Sequence, residues 1–283
     1  MHKVKRLILL MLFIVVTVGM GVSVWWSIQD EVDYDYVVET NAFFAPFEFY
    51  ENRQIVGVDV EIVNRVAEKM NKNIQIKNVE FDVIIDNVEA GKIADAGAAG
   101  LTITPARAEK VSFTIPYYSS VQYVIFSREM PPTLRDNHVV WEALAGHKLG
   151  SQIGSTGYIF VDDEIENGVL FGTGTTIKGI DSHQLAADAI LAHIIDYAIA
   201  DELAAEFIVE KNPELMALPL YYSGATREDD YPVEESYAIA VNKERTELLE
   251  AFNEVLAEML TENDEGVTEI DRLVLKYMGL EDE

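Results

Sequence analysis

The segment 96–107, Ala-Gly-Ala-Ala-Gly-Leu-Thr-Ile-Thr-Pro-Ala-Arg, holds the clearest chemistry in this chain. Small residues at 96–100, Gly100 among them, let backbone or a ligand approach closely. Thr104 fits a helix N-cap and Pro105 the first helical residue, where its missing N–H costs nothing. Arg107 then falls in the first turn, a poor place for a cation because that end of a helix is already electropositive. Its planar fork pairs bidentately with a carboxylate. Arg107, the Thr102 hydroxyl and the loop N–H groups together suit a carboxylate that arrives from outside. The opposing reading pairs Arg107 with a surface Glu and leaves Thr102 as strand filler; local chemistry does not choose between them.

A second turn has related chemistry. Within residues 144–157 a strand runs into the turn Gly154-Ser155-Thr156-Gly157, followed by an apolar helical start at Tyr158-Ile159-Phe160. N–H groups and hydroxyls at such a start suit anions, although a Gly-Ser-Thr-Gly turn alone is usually only a turn. Gly172-Thr173-Gly174-Thr175-Thr176 is not followed by Gly-Lys-Ser/Thr, which excludes a P-loop. Residues 194–201 make an apolar strand ending in Asp201, which is also placed to cap a helix over 202–211.

The elements that position these residues follow from periodicity. Strands are expected at 37–40, 111–114, 121–126, 215–220 and 237–241. Helices are expected from Gly57, with Asp59 as candidate cap and Ile62, Val66 and Met70 one turn apart, and over Phe81, Ile84, Ile85 and Val88 to a stop at Gly91. A further helix start is expected near Trp141, and Ser182 caps a helix carrying Leu185, Ala189 and Ile190. Pro213 stops the helix that follows Asp201; a long amphipathic helix runs over 248–260 and a shorter one over 270–278. Alternating strands and helices predict α/β lobes with largely parallel sheets and ligand sites at the carboxyl ends of strands.

Composition narrows the function. The 283 residues carry 21 basic and 49 acidic side chains, a net charge of −28. Such a surface repels nucleic acid and anionic lipid. With no cysteine there is no disulfide, thiolate nucleophile or acylated cysteine, and the five histidines show no metal-ligand spacing. No metal and no cofactor is expected. Near the N-terminus, His2-Lys3-Val4-Lys5-Arg6 precedes an uncharged, largely apolar run over 7–26. Its length suits a bilayer span and its flanking charges keep the N-terminus in the cytoplasm. A cleavable signal peptide is the rival, with only poor small-x-small sites. The uncleaved anchor is preferred, and the rest of the chain is expected outside the cytoplasm.

From Gly100 to Tyr118 the pattern Gly-Leu-Thr-Ile-Thr-Pro-x-Arg-Ala-Glu-Lys-Val-x-Phe-x-x-Pro-Tyr-Tyr resembles the signature of extracytoplasmic amino-acid-binding proteins of ABC importers, solute-binding family 3. The similarity runs in register from about residue 37 to 279. It implies the two-lobe periplasmic-binding-protein fold of type II, each lobe a mainly parallel sheet flanked by helices. The expected divisions are 1–29 as anchor or signal, 30–120 as the first part of lobe 1, 121–225 as lobe 2, and 226–283 as the return to lobe 1.

The resemblance further implies a free amino acid held between the lobes and an ABC permease as partner, with no catalysis. Arg107, Thr102 and Gly100 hold the substrate carboxylate, Ser155 and Thr156 close over it, and Asp201 takes the α-amino group. Phe44 packs on the substrate side chain, Asn41 reads its far end, and Phe81 adds an apolar wall. Phe47 and Phe49 are expected in the core. A neutral Asn41 beside aromatic walls favours a polar uncharged or small apolar side chain over Lys or Arg. Two other functions remain open on the same fold, a sensory module and a dehydratase; the retained Asp201 argues against the second.

Overall fold

The structure, a computed structural model, describes residues 33–280. The expected membrane segment at 7–26 lies outside them. Among the described residues no helix is long and apolar enough to cross a membrane. The chain opens with β1 (Tyr36–Thr40), a small meander of β2 (Phe43–Phe44), β3 (Glu48–Glu51) and β4 (Gln54–Val56), and helix α1 (Val58–Met70). It continues through β5 (Ile74–Asn78), α2 (Ile84–Ala90), β6 (Ala96–Gly97), α3 (Pro105–Lys110) and β7 (Ser112–Phe113). The long β8 (Tyr118–Ser127) then leads to β9 (Val139–Val140), β10 (Lys148–Gln152), α4 (Thr156–Glu166), β11 (Thr176–Ile180), α5 (His183–Leu191) and β12 (Tyr197–Asp201). After α6 (Glu202–Lys211), β13 (Leu215–Tyr222) and β14 (Tyr231–Pro232), the chain returns through β15 (Glu234–Tyr237), β16 (Ala240–Val241), α7 (Thr246–Met259) and α8 (Glu269–Tyr277).

Two sheets organise these elements. The first has the order β5-β1-β6-β16-β7, with β1 parallel to β5 and β6. The second has the order β11-β10-β12-β8-β13-β14, with β10 parallel to β11 and β12 and with β8 antiparallel to β12 and β13. β8 and β15 run antiparallel between the sheets, from Glu234 opposite Val121 to Tyr237 opposite Tyr118. Parallel pairing requires crossover helices, and α1, α2, α4 and α5 supply them.

Local chemistry explains most boundaries. Thr104 accepts a hydrogen bond from the Arg107 amide and Pro105 opens α3, as expected. Gly91 ends α2 in a left-handed conformation, φ +61°. Ser182 caps α5 through the Leu185 amide. Within that helix Ala189 and Ile190 are buried, but Leu185 faces outward. Near Trp141 a single 3-10 turn forms instead of an α-helix. Asp59 does not cap α1: Gly57 holds the N-cap position, and Asp59 sits buried inside the first turn.

The first sheet packs one face against α1, α7 and α8, with Phe47, Ile62, Val66, Leu248, Phe252 and Leu256 at its centre. The second buries Phe126, Trp141, Leu149 and Val161 on one face and Ile125, Ala187, Ile190 and Ala205 on the other. Removing the fully buried Phe252 ring leaves a cavity between α1 and α7, so Phe252→Ala is expected to lower unfolding free energy by about 3–5 kcal/mol. Urea denaturation followed by circular dichroism measures it.

Candidate functional site

The loop before α3 lies along the return strand: Ile103 donates to the Ser236 carbonyl and Ala238 to the Leu101 carbonyl. Gly100 adopts φ +54°, and a Cβ there would stand 2.4 Å from the Phe44 ring. What approaches closely at Gly100 is therefore Phe44. The Gly100 amide donates to Asp59 Oδ2 at 3.0 Å, and the Tyr117 hydroxyl donates to Asp59 Oδ1 at 2.5 Å.

Arg107 leaves the first turn of α3 and is 7 % exposed. Its Nη1 donates to the Thr102 carbonyl at 2.8 Å and its Nη2 to the Gly154 carbonyl at 2.9 Å, so one guanidinium ties the loop before α3 to the turn after β10. The guanidinium carbon lies 5.7 Å from the Phe81 ring centre. Among the described residues no carboxylate comes within ion-pair distance of it. Burial lowers its pKa, while the fields of Glu235 and Asp201 raise it. It does not pair with a surface Glu.

Thr102 and Thr156 donate their hydroxyls to the same oxygen, Glu235 Oε2, each at 2.6 Å. Glu235 Oε1 accepts from Gln122 Nε2, which also donates to Asp201 Oδ1. The Tyr237 hydroxyl donates to Asp201 Oδ2 at 2.8 Å. Asp201 occupies the N-cap position of α6 but makes no side-chain cap bond. Its carboxylate points to this network instead. Burial, and then the Glu235 carboxylate beside it, pushes the Asp201 pKa well above the usual carboxylate range.

Phe44, Phe81, Gly100, Thr102, Ser155, Thr156 and Asp201 line one cavity of about 10 Å³, together with Gln152 and His183. Two of the expected site residues stand off it. Arg107 lines a neighbouring cavity of about 220 Å³ with Phe81 and Gly154. Asn41 sits behind Gln152, accepting from its Nε2 at 2.9 Å and donating to the Val79 carbonyl at 2.8 Å. The Ser155 hydroxyl caps α4 through the Tyr158 amide. Phe47 is in the core as expected; Phe49 lines a third cavity of about 250 Å³, whose wall also includes His183.

Sequence reasoning missed Gln122, Gln152, His183, Glu235 and Tyr237. Strand alternation offered one clue, because Glu235 shares a face with the buried Tyr237. His183 is buried, its Nδ1 has no partner among the described residues, and burial pulls its pKa down to about 4. The imidazole is thus neutral at pH 7.

This architecture, two mixed α/β sheets joined by paired crossing strands with converging polar groups between them, is that of a two-lobe solute-binding protein. The chain belongs to the bacterial extracellular solute-binding proteins, family 3, which it matches over residues 36–279. It is 27 % identical over 244 residues to the arginine-binding extracellular protein ArtP of Bacillus subtilis (strain 168), covering 85 % of each chain. An ancestral arginine-binding protein bound to arginine is 30 % identical with a TM-score of 0.69, covering 86 % of this chain and 98 % of that one. The structure of an ancestral arginine-binding protein bound to glutamine gives 30 %, 0.68, 86 % and 97 %.

Asp59 beneath the Gly100 loop gives this site a pH signature. Burial raises its pKa to about 6 in the folded protein, against about 4 in an unfolded chain. Between those values this carboxyl binds more protons in the native state than in the unfolded chain, so the stability it contributes is full below pH 4 and is lost as pH rises toward 6. The stability difference between the native protein and Asp59→Asn is expected to shift against the native protein by about 2 kcal/mol from pH 4 to pH 7. Urea titrations at several pH values measure that difference, and a flat one would return Asp59 to an ordinary pKa.

Proposed function

We propose that this protein captures one free α-amino acid between its lobes, outside the cytoplasm, and passes it to an ABC permease. The observation that carries the reading is Arg107: a buried guanidinium, held by carbonyls from both sides of the cleft, with no carboxylate at ion-pair distance among the described residues. A substrate carboxylate would take the Arg107 fork with the Thr102 and Thr156 hydroxyls, the closely packed Gly100 loop and the Ser155 turn around it. Asp201 would receive the α-ammonium, and membership of family 3 supports that division of roles. Capture and release involve no chemical step. A membrane tether through residues 7–26 belongs to the same proposal and rests on sequence pattern alone.

For the side chain we infer a polar, uncharged group. Phe44 and Phe81 supply walls, and the polar groups left over in the cavity are Gln152, backed by Asn41, and the neutral His183. None of these three is an anion. Arginine is the second reading, favoured by the arginine-binding relative and by ancestral proteins of this fold solved with either arginine or glutamine.

Calorimetry of the full chain with glutamine, asparagine, histidine, arginine, lysine and alanine tests both readings. Tightest binding to glutamine, asparagine or histidine supports the first, and to arginine the second; no binding to any of them removes capture. Arg107→Ala would leave a carboxylate in the closed cleft without its charge partner, so the best ligand is expected to lose about 2–5 kcal/mol while the circular dichroism spectrum stays native. Wild-type affinity in that variant excludes Arg107 from the site.

A further inference from the structure

We propose that Glu235 is an internal stand-in for the substrate carboxylate, one that holds the cleft shut on itself and that an incoming amino acid has to displace. The displacement rests on the capture reading above; the latch does not.

Glu235 lies on β15, the strand that returns to the first sheet, opposite Ser120 on β8. It is 6 % exposed. One of its oxygens accepts from two hydroxyls on different sides of the cleft: Thr102, in the loop that leads to α3, and Thr156, the first residue of α4. Those hydroxyls stand 3.3 Å apart, and the Thr102 carbonyl is itself a partner of Arg107. A carboxylate at this point is therefore solvated by groups from both lobes and lies in the field of the guanidinium. That is the environment a substrate carboxylate requires.

Space makes the two exclusive. The cavity beside these hydroxyls measures about 10 Å³, roughly the room one water needs. A second carboxylate reaches Thr102 and Thr156 only if Glu235 gives them up. Charge adds a second condition. The ionisable groups that face Glu235 are Asp201 from β12, Tyr237 from its own strand and Arg107 from α3, with Gln122 of β8 bonded to both carboxylates. Neutral His183 of α5 lines the same cavity. Burial and the Glu235 charge favour the protonated form of Asp201. An α-ammonium group prefers it ionised, so under this proposal any proton that Asp201 holds goes to solvent when a zwitterion is seated.

The chain has no cysteine, so Asn64→Cys and Glu166→Cys, both exposed, can carry a spin-label pair that reports the separation of α1 and α4. The label distance is measured on the full chain without added amino acid, for wild type, Glu235→Ala and Glu235→Gln. Calorimetry with glutamine and arginine, in two buffers of different ionisation enthalpy, follows on the same three proteins. The expected result is a longer, broader distance in Glu235→Ala, at least tenfold tighter amino-acid binding, and fewer protons released per ligand than in wild type. Glu235→Gln keeps an acceptor for the hydroxyls without the charge, so it is expected to stay shut yet bind tighter than wild type; it decides the matter if the alanine variant does not fold. Unchanged distances in Glu235→Ala overturn the latch. Weaker binding in both variants at unchanged melting temperature overturns the displacement and makes Glu235 a direct substrate contact. If wild type binds neither amino acid, the capture reading fails, and the distances still decide the latch.

Discussion

A guanidinium cannot shed its charge when it is buried, and Arg107 is buried. Taking an ion out of water costs several kcal/mol unless fixed dipoles and charges replace the water. Here the replacements come from two places far apart in the chain: the Thr102 carbonyl and the Gly154 carbonyl. Neither supplies a negative charge. The structure therefore depends on the loop before α3 and the turn after β10 meeting across the cleft, and on carboxylates near enough to balance what the carbonyls only solvate. Glu235 and Asp201 are those carboxylates.

The balance is uneven, two acids against one cation, which favours a proton on Asp201. Asp201 is the acid whose ionisation burial and its neighbour oppose. Behind it, Glu48 is fully buried, and desolvation and then the Asp59 charge push its pKa well up. Burial thus favours the protonated form of the carboxyls next to the cleft. A zwitterion adds one charge of each sign, so apart from any proton lost from Asp201 it leaves the net charge of the site alone and changes which groups are paired. Under the proposed roles it takes over from Glu235 in holding the cleft shut, because Thr156 and Asp201 are within its reach only in the closed arrangement, and a ligand shifts an equilibrium only by its differential affinity for the two states.

What the sequence revealed and what it hid divide along contact range. The Thr104–Pro105 start of α3, the Gly91 stop, the Ser182 cap and the 202–211 helix are all decided within a few residues, and each is observed. Asp59 resembled a cap because capping chemistry and buried-acid chemistry use the same residue type. The donors that claim it, Gly100 and Tyr117, lie 41 and 58 residues away. A cap and an anion turn use the same hydroxyl, and the Ser155 hydroxyl caps α4 while its residue lines the cavity. Glu235 stands among other acids in a polar stretch, and its partner Thr102 is 133 residues distant. No periodicity carries that information; the resemblance reached the cleft residues only where a motif named them.

Tyr237 shows why the crossing strands matter beyond connection. Its ring belongs to the first-sheet core, 5.1 Å from Phe47 and 6.0 Å from Phe44. Its hydroxyl reaches Asp201 at the end of a second-sheet strand. Gly100, with no side chain, lets Phe44 settle against the loop that carries Thr102. The floor of the cleft is thus close-packed aromatic rings, which shift little and resist compression. The polar groups above it, Thr102, Gln122 and Glu235, are held by hydrogen bonds whose net worth is small enough to be exchanged for others. A rigid apolar floor under an exchangeable polar layer is what the proposed capture requires, since a small charged molecule could then re-pair the polar groups without disturbing either core.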